Sequence, residues 1–508
     1  MNLHNKYSTR FLGTFLAASL LFAAPMAAQM QQPGQDKSTP ISKVERKNKA
    51  PVSKDILQVK LPKPSETTLA NGLTVMILED HRFPTVSVSL NISGAGPIFE
   101  PANLPGLASG TAQLLREGTK TRDSKKMAED VDKLGATLTA GAQFGSAASQ
   151  INASGLSDNI DEWFPLLVDI LQNPTFPADE EAKLKARLKI QARQVRSIPQ
   201  FLVAERFNRA VFGNHPAAIL FPTEAAIDAL TPELLAKWHH ERYVPQNAIL
   251  GIAGDVDTAT LLPKLKKWLG GWARTDLKEV MPPDPAPASP KKIYLVDRPG
   301  SVQTDVAIGN IAIGRADPDY PAVVVMNRIV GGGPAARLFM NLREEKGYTY
   351  GVYSNFTALK YPGPWQAGGN MRSEVTEGAM TEFFKEFRRI REEPVPAAEM
   401  DESIRSVVAN FALSLEQPTT LLGYAITRKI YNFPADYWDT YPAKISAVTA
   451  ADVMRVARKY INLDNIQVVA VGEAAKIKST LEKWGPVEVF DLEGKPVVAK
   501  PAPASPGN

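Results

Sequence analysis

Two distant stretches of this 508-residue chain follow one plan, and that repetition limits the fold more than any other feature. NPTFPADEEAKLKARL (173–188) and EEPVPAAEMDESIRSVV (392–408) each carry a Pro-Ala step leading into a helical pattern. A second shared element begins 54 residues after Pro177 and 53 after Pro396. It is TPELLAKWHHERYVPQNAILGIAG (231–254) in one case and TAADVMRVARKYINLDNIQVVAVG (449–472) in the other. Both read as a helix, then a Tyr, then an Asn seven residues before a Gly that ends an apolar strand. Two matches in register indicate an internal duplication of a unit of roughly 210 residues.

Each unit opens with strands, passes through helices, returns to strands and ends with helices and one strand. That order predicts an α+β fold of two homologous domains, each a mostly antiparallel or mixed sheet with helices packed on one face. The expected boundaries are 65–278 and 293–495, separated by the proline-rich stretch 279–292 (MPPDPAPASPKK at 281–292). Asn71-Gly72 in TTLANGLTVMILED signals a hairpin between the first two strands, and VSVSLNIS (86–93) alternates as a half-buried strand does. Residues 29–64 read as a flexible polar linker, and 496–508 as a disordered tail.

Residues 1–28 read as a cleavable export signal: Lys6 and Arg10 precede the apolar run Phe11–Ala24, and small residues follow in PMAAQ. The run is too short for a membrane span, which needs about 20 apolar residues, so the mature form is expected to have none. There is no cysteine, which excludes disulfides, thiol catalysis and cysteine-ligated metal. Together these features predict a periplasmic protein, with secretion outright as the alternative. The formal net charge of +4, or +2 without residues 1–28, and the lack of a basic run interleaved with aromatics argue against a nucleic-acid partner.

The chemistry-bearing residues are few. No nucleophile elbow or phosphate loop is present, and Gly494-Lys495 lacks the glycine spacing of the latter. Beyond residue 28 the histidines are His81, His215, His239 and His240. Adjacent residues on a helix point about 100° apart, so His239 and His240 do not form a ligand pair. This also disfavours a hydrolase built on them and Glu241. GLASGTAQLLREGTKTR (106–122) has the form of a helix opening after Pro105 and closing at Gly118, with no metal ligand in its interior.

This helix, the duplication, VFGNHP and RLFMNLREEKGYTYGVYS together resemble the pitrilysin/insulinase-type metallopeptidases, a group that includes the mitochondrial processing peptidase. Active members carry His-x-x-Glu-His, in which two imidazoles on one helix face grip zinc and the Glu activates water. The family pattern falls on Gly106-Leu107-Ala108-Ser109-Gly110-Thr111-Ala112-Gln113. Ser109 and Gln113 stand for the histidines and Ala112 for the glutamate, while the third ligand position falls near Gln191. The resemblance therefore implies a degenerate zinc motif and no metal in this chain. The family's second element, an Arg and a Tyr seven residues apart that reach the substrate from the second domain, falls on Arg343 and Tyr350.

Arg343 is expected in the last turn of a helix ended by Gly347. Tyr350 is expected on a strand, facing the same way as Tyr348 and Val352. Gly331, Gly332 and Gly333 correspond to a glycine-rich segment that guides substrate in the processing peptidase, with Tyr348 beside it. The resemblance implies the non-catalytic subunit of a heterodimeric peptidase. A homologous partner would supply zinc, and extended peptides would be the substrates. A non-enzymatic peptide-binding or scaffolding protein using the same cavity is the alternative.

Overall fold

The computed structural model describes residues 55–275, 281–287 and 289–497. The expected export signal, most of the linker 29–64 and nearly all of the tail lie outside the described residues. The first repeat runs β1 Ser65–Thr68, β2 Thr74–Glu79, β3 Thr85–Ser93, α1 Leu107–Leu114, α2 Ser124–Lys133, β4 Thr137–Gly141 and β5 Ala148–Leu156. It continues through α3 Ile160–Gln172, α4 Ala178–Val195, α5 Pro199–Phe212, α6 Glu224–Ala229, α7 Pro232–Arg242, β6 Ala248–Gly254 and α8 Thr258–Leu269. The second begins β7 Lys292–Asp297, β8 Gln303–Ile313, α9 Tyr320–Val330 and α10 Arg337–Phe339, the last running on as a π-helical turn, Met340–Glu345. Then come β9 Val352–Phe356, β10 Gly363–Arg372, α11 Thr376–Glu392, α12 Ala397–Ser414 and α13 Pro418–Ile430. The repeat closes with α14 Tyr441–Ser446, α15 Ala450–Tyr460, β11 Gln467–Gly472, α16 Ala474–Glu482 and β12 Val487–Phe490.

The helices correspond one to one, α1 to α9 through α8 to α16. The sheets are ordered β1-β2-β6-β3-β5-β4 and β12-β7-β11-β8-β10-β9. Both are mixed, with β2–β6 and β7–β11 parallel. They differ at one edge, where the first repeat adds its earliest strand antiparallel to β2 and the second adds its last parallel to β7. The Asn71-Gly72 hairpin forms as expected, with Gly72 at φ +91 and Thr68 opposite Thr74.

The sequence plan placed helices on one face of each sheet. Each repeat's own helices do cover one face, but the opposite face is covered by a helix from the other repeat. From α5, Leu202 and Phe207 pack on Val469 and Val471 of β11 and Ala307 of β8. Reciprocally, Leu422, Ala425 and Ile426 of α13 pack on Ile249 and Ala253 of β6 and on Met76 and Leu78 of β2. This explains why β6 and β11 are buried at every position and read as unbroken apolar runs: both faces are covered. Gly251 makes room for α13, since a Cβ there would lie 2.8 Å from Ile426. Residues 55–64 carry no strand or helix, yet Val59 and Leu61 pack on the second core and the Leu61 N–H donates to Asp439 Oδ1 at 3.0 Å.

Candidate functional site

The degenerate motif lies on α1, which stops at Leu114, four residues before the expected Gly118. Gly118 serves close packing instead, since a Cβ there would sit 2.5 Å from Pro177. The helix starts from Gly106 in the left-handed region, φ +100. The carboxylate of Glu100 accepts from the Gly106 and Ala108 N–H groups at 2.9 and 2.6 Å. Burial pushes this carboxyl up to about 7, working against those hydrogen bonds.

Ser109 and Gln113, one turn apart, share a face of α1 beside α4, and Gln113 Nε2 donates to Ser109 Oγ at 3.1 Å. Arg187 of α4 donates from Nη2 to Gln113 Oε1, also at 3.1 Å. Gln191 is exposed one turn further along α4, and Ala112 is fully buried in the first core. This donor set does not suit zinc. It offers a neutral hydroxyl and two carboxamides, and a guanidinium already occupies the amide oxygen. Among the described residues no group of three His, Cys, Asp or Glu could hold a metal ion.

In the second repeat the chain widens into the π-helical turn Met340–Glu345, a local distortion common at functional positions. Two partly buried polar contacts hold it. Asn341 Nδ2 donates to Glu382 and Glu386 at 2.8 and 2.9 Å, and Arg337 forks onto Glu399 at 2.7 and 2.8 Å. Gly347, φ +63, ends the segment by donating to the Arg343 carbonyl, as anticipated. The Arg343 guanidinium lies 4.8 Å from the Phe339 ring centroid and 3.6 Å from Glu344, and its side chain is 45% exposed.

Tyr350 departs from expectation. It sits in a bend before β9 rather than on a strand, and is 85% exposed, whereas Tyr348 is half-buried and Val352 fully buried. The reason is the Thr349 hydroxyl, which accepts from the Gly351 N–H at 3.0 Å and holds a tight turn where pairing would have begun. The Tyr348 ring lies over Gly378 of α11, where a Cβ would come within 2.8 Å of its hydroxyl. Gly331 and Gly333 are buried by packing: a Cβ would meet the Ser354 N at 2.4 Å in one case and Arg328 at 2.3 Å in the other. Gly332 is closed in by the Arg328 backbone. Packing alone thus accounts for Tyr348 and the three glycines.

The histidines are dispersed. His239 Nε2 bonds the Leu171 carbonyl at 2.8 Å, and burial lowers its pKa to about 4. His240, next to it, is exposed. His215 is buried between the Ala217 N–H and the Pro283 carbonyl, and exposed His81 pairs with Asp255 at 2.6 Å. Arg187 and Glu100 were not singled out in the sequence. Arg187 precedes Gln191 by one helical turn, a spacing that could have placed it on the same face, but nothing local to Glu100 announces a cap.

The comparisons with known proteins agree with this architecture. Residues 74–221 match the model of the insulinase family, peptidase family M16, and residues 229–407 match that of the peptidase M16 inactive domain. An uncharacterized zinc protease of Bacillus subtilis is 21% identical over 351 residues, spanning 69% of this chain and 84% of its own length. One from Rickettsia bellii is 23% identical, spanning 77% of this chain and 93% of its own. A crystal structure from Pseudomonas fluorescens, called a peptidase M16 inactive domain, superposes with a TM-score of 0.73 at 25% identity, covering 81% of this chain and 98% of that one. A protease from Helicobacter pylori shares the fold, with a TM-score of 0.75 at 19% identity and coverage of 81% and 100%. With both repeats matched and their sheets superposable on such structures, the chain belongs to the insulinase family of peptidases, M16.

Proposed function

We propose that this chain is the non-zinc-binding subunit of an exported, periplasmic heteromeric metallopeptidase, closing over a homologous partner that carries the metal. The observation that carries the reading is the Ser109–Gln113–Arg187 chain of hydrogen bonds. It puts an amide and a guanidinium where active relatives need two imidazoles and a carboxylate. Arg343 and Tyr350, by contrast, remain accessible from outside the chain.

The partner's zinc supplies Lewis-acid chemistry at the scissile carbonyl. The work of this chain is donation: the guanidinium of Arg343 and the phenol of Tyr350 hold the carbonyl oxygen as negative charge builds on it. Such a donor contributes about 3–4 kcal/mol in other hydrolases. Accessibility suits that role, because groups contributed across an interface stay open until the partner closes on them.

The test begins with the purified chain. Metal analysis is expected to find no stoichiometric zinc, and peptide cleavage is expected only after a family member with intact His-x-x-Glu-His is added. One zinc per chain, or chelator-sensitive cleavage by the chain alone, would end the proposal. In the reconstituted pair, Arg343→Ala should lower kcat by about 10²–10³-fold without blocking association, and Tyr350→Phe should lower it too. Unchanged turnover in both variants removes the donor role.

A further inference from the structure

The seam between α1 and α4 has a topological counterpart in the second repeat, between α9 and α12. There the seam is open. A cavity of about 420 Å³ lies between those helices, β9 and α13–α14, within the range of small-ligand sites. Its walls are aromatic, with Tyr320, Phe356, Tyr424 and Trp438 among them, and no Asp or Glu lines it.

Two arginines face this space. Arg315 is only 8% exposed, and its guanidinium lies 3.9 Å from the Tyr320 ring centroid and 5.6 Å from that of Trp438. Its side chain makes one hydrogen bond among the described residues, from Nη1 to the Tyr437 hydroxyl at 2.8 Å. Arg328, on α9, donates to the Gly332 carbonyl. Neither has a carboxylate within 4.0 Å among the described residues, whereas the other buried arginine among them, Arg337, is paired with Glu399 at 2.7 Å. A buried cation without a counter-ion is costly, and stacked rings offset only part of that cost. A carboxylate entering the cavity would supply the missing partner, and a planar guanidinium binds one through two parallel hydrogen bonds.

We infer that this cavity binds a peptide carboxylate whose neighbouring apolar residue rests among the rings. That the carboxylate belongs to a peptide rests on the peptidase-family reading; that it is a carboxylate rests on the two arginines. The source is a chain terminus or an acidic side chain.

Calorimetry on the full chain without any partner tests it, and is independent of turnover. The probes are N-acetyl-Ala-Ala-Phe with a free terminus, the same peptide amidated, and N-acetyl-Ala-Glu-Phe amide. The free acid or the Glu peptide is expected to bind at least tenfold tighter than the uncharged amide, and which of the two does so identifies the source. Affinity should fall as salt rises. Equal binding of all three, or binding by none, overturns the inference. Arg315→Gln risks the fold because of its rings, so two surface-accessible changes stand beside it. Arg328→Gln should weaken binding, and Asn410→Asp, which sets a carboxylate into the lining at an exposed position, should weaken it tenfold or more with unchanged melting. Undiminished affinity in both variants places the ligand elsewhere.

Discussion

The α1–α4 seam and the α9–α12 seam occupy the same place in two copies of one fold, yet they are finished in opposite ways. In the first, Arg187 reaches across to Gln113, Gln113 reaches Ser109, and the polar groups satisfy one another. In the second, Arg315 and Arg328 face a cavity without an acid in its wall. A duplicated scaffold supplies position, and the side chains set on it decide whether that position is closed, reactive or receptive. The repeats are also not independent. Each sheet is completed by the other's helix, so the comparison is between two domains that cover one another's sheets.

That interlocking gives the largest expected effect. Phe207 of α5 is fully buried against the second sheet, and Leu422 of α13 is 3% exposed against the first. Phe207→Ala is expected to cost about 3–5 kcal/mol and Leu422→Ala about 2–5 kcal/mol. Each should shift a single denaturant transition reported equally by probes in both halves. Two separate transitions, with the half that donates the helix unmoved, would break the picture of exchanged helices.

The sequence disclosed the duplication because it was written in residue types that geometry demands. The Pro-Ala steps at 177–178 and 396–397 do start α4 and α12, and Gly254 and Gly472 do end the central strands. One correspondence was off by a residue: Tyr460 is the last residue of α15, whereas Tyr243 follows α7, so the counterpart of Tyr243 is Ile461. The degenerate positions on α1 were legible because a missing imidazole is visible in a string of letters. The helix exchange was not. Apolar residues on both faces of β6 announce that something covers each side, but not which helix does so. Nor could pattern alone show that Thr349 would turn the chain and leave Tyr350 outside β9.

A smaller effect sharpens the comparison within the α7 and α15 helices. Counting from Thr231 and Thr449, which cap these helices, His239 in the first repeat stands where Ala457 stands in the second, and both lie inward. Burial holds the His239 pKa down at about 4, below its ordinary 6.5. A histidine kept neutral by folding contributes its full stability above the unfolded pKa. That contribution is lost as pH falls from about 6.5 toward 4, because the unfolded chain takes up the proton first. The loss should reach up to about 3 kcal/mol by pH 4. Stability of the parent and of His239→Gln, measured across that interval, should converge as the pH drops. Curves that stay parallel would mean that His239 protonates as freely in the folded chain as in the unfolded one.

The smallest difference lies at the starts of the same two helices. Thr449 forms a reciprocal cap: its hydroxyl accepts from the Asp452 N–H at 3.1 Å, and Asp452 Oδ2 accepts from the Thr449 N–H at 3.1 Å. Thr231 accepts from the Leu234 N–H at a longer 3.3 Å, and Leu234 at the third helical position has no side-chain acceptor to return the bond. Pro232 also presets the first helical residue in that repeat, so the first turn depends less on its cap. Thr449→Ala is therefore expected to cost about 1 kcal/mol or somewhat more, and Thr231→Ala about 0.5 kcal/mol. Read on the single transition expected above, their midpoints in urea can be compared directly. Equal losses would show that the reciprocal bond from Asp452 adds nothing beyond what a single threonine hydroxyl provides.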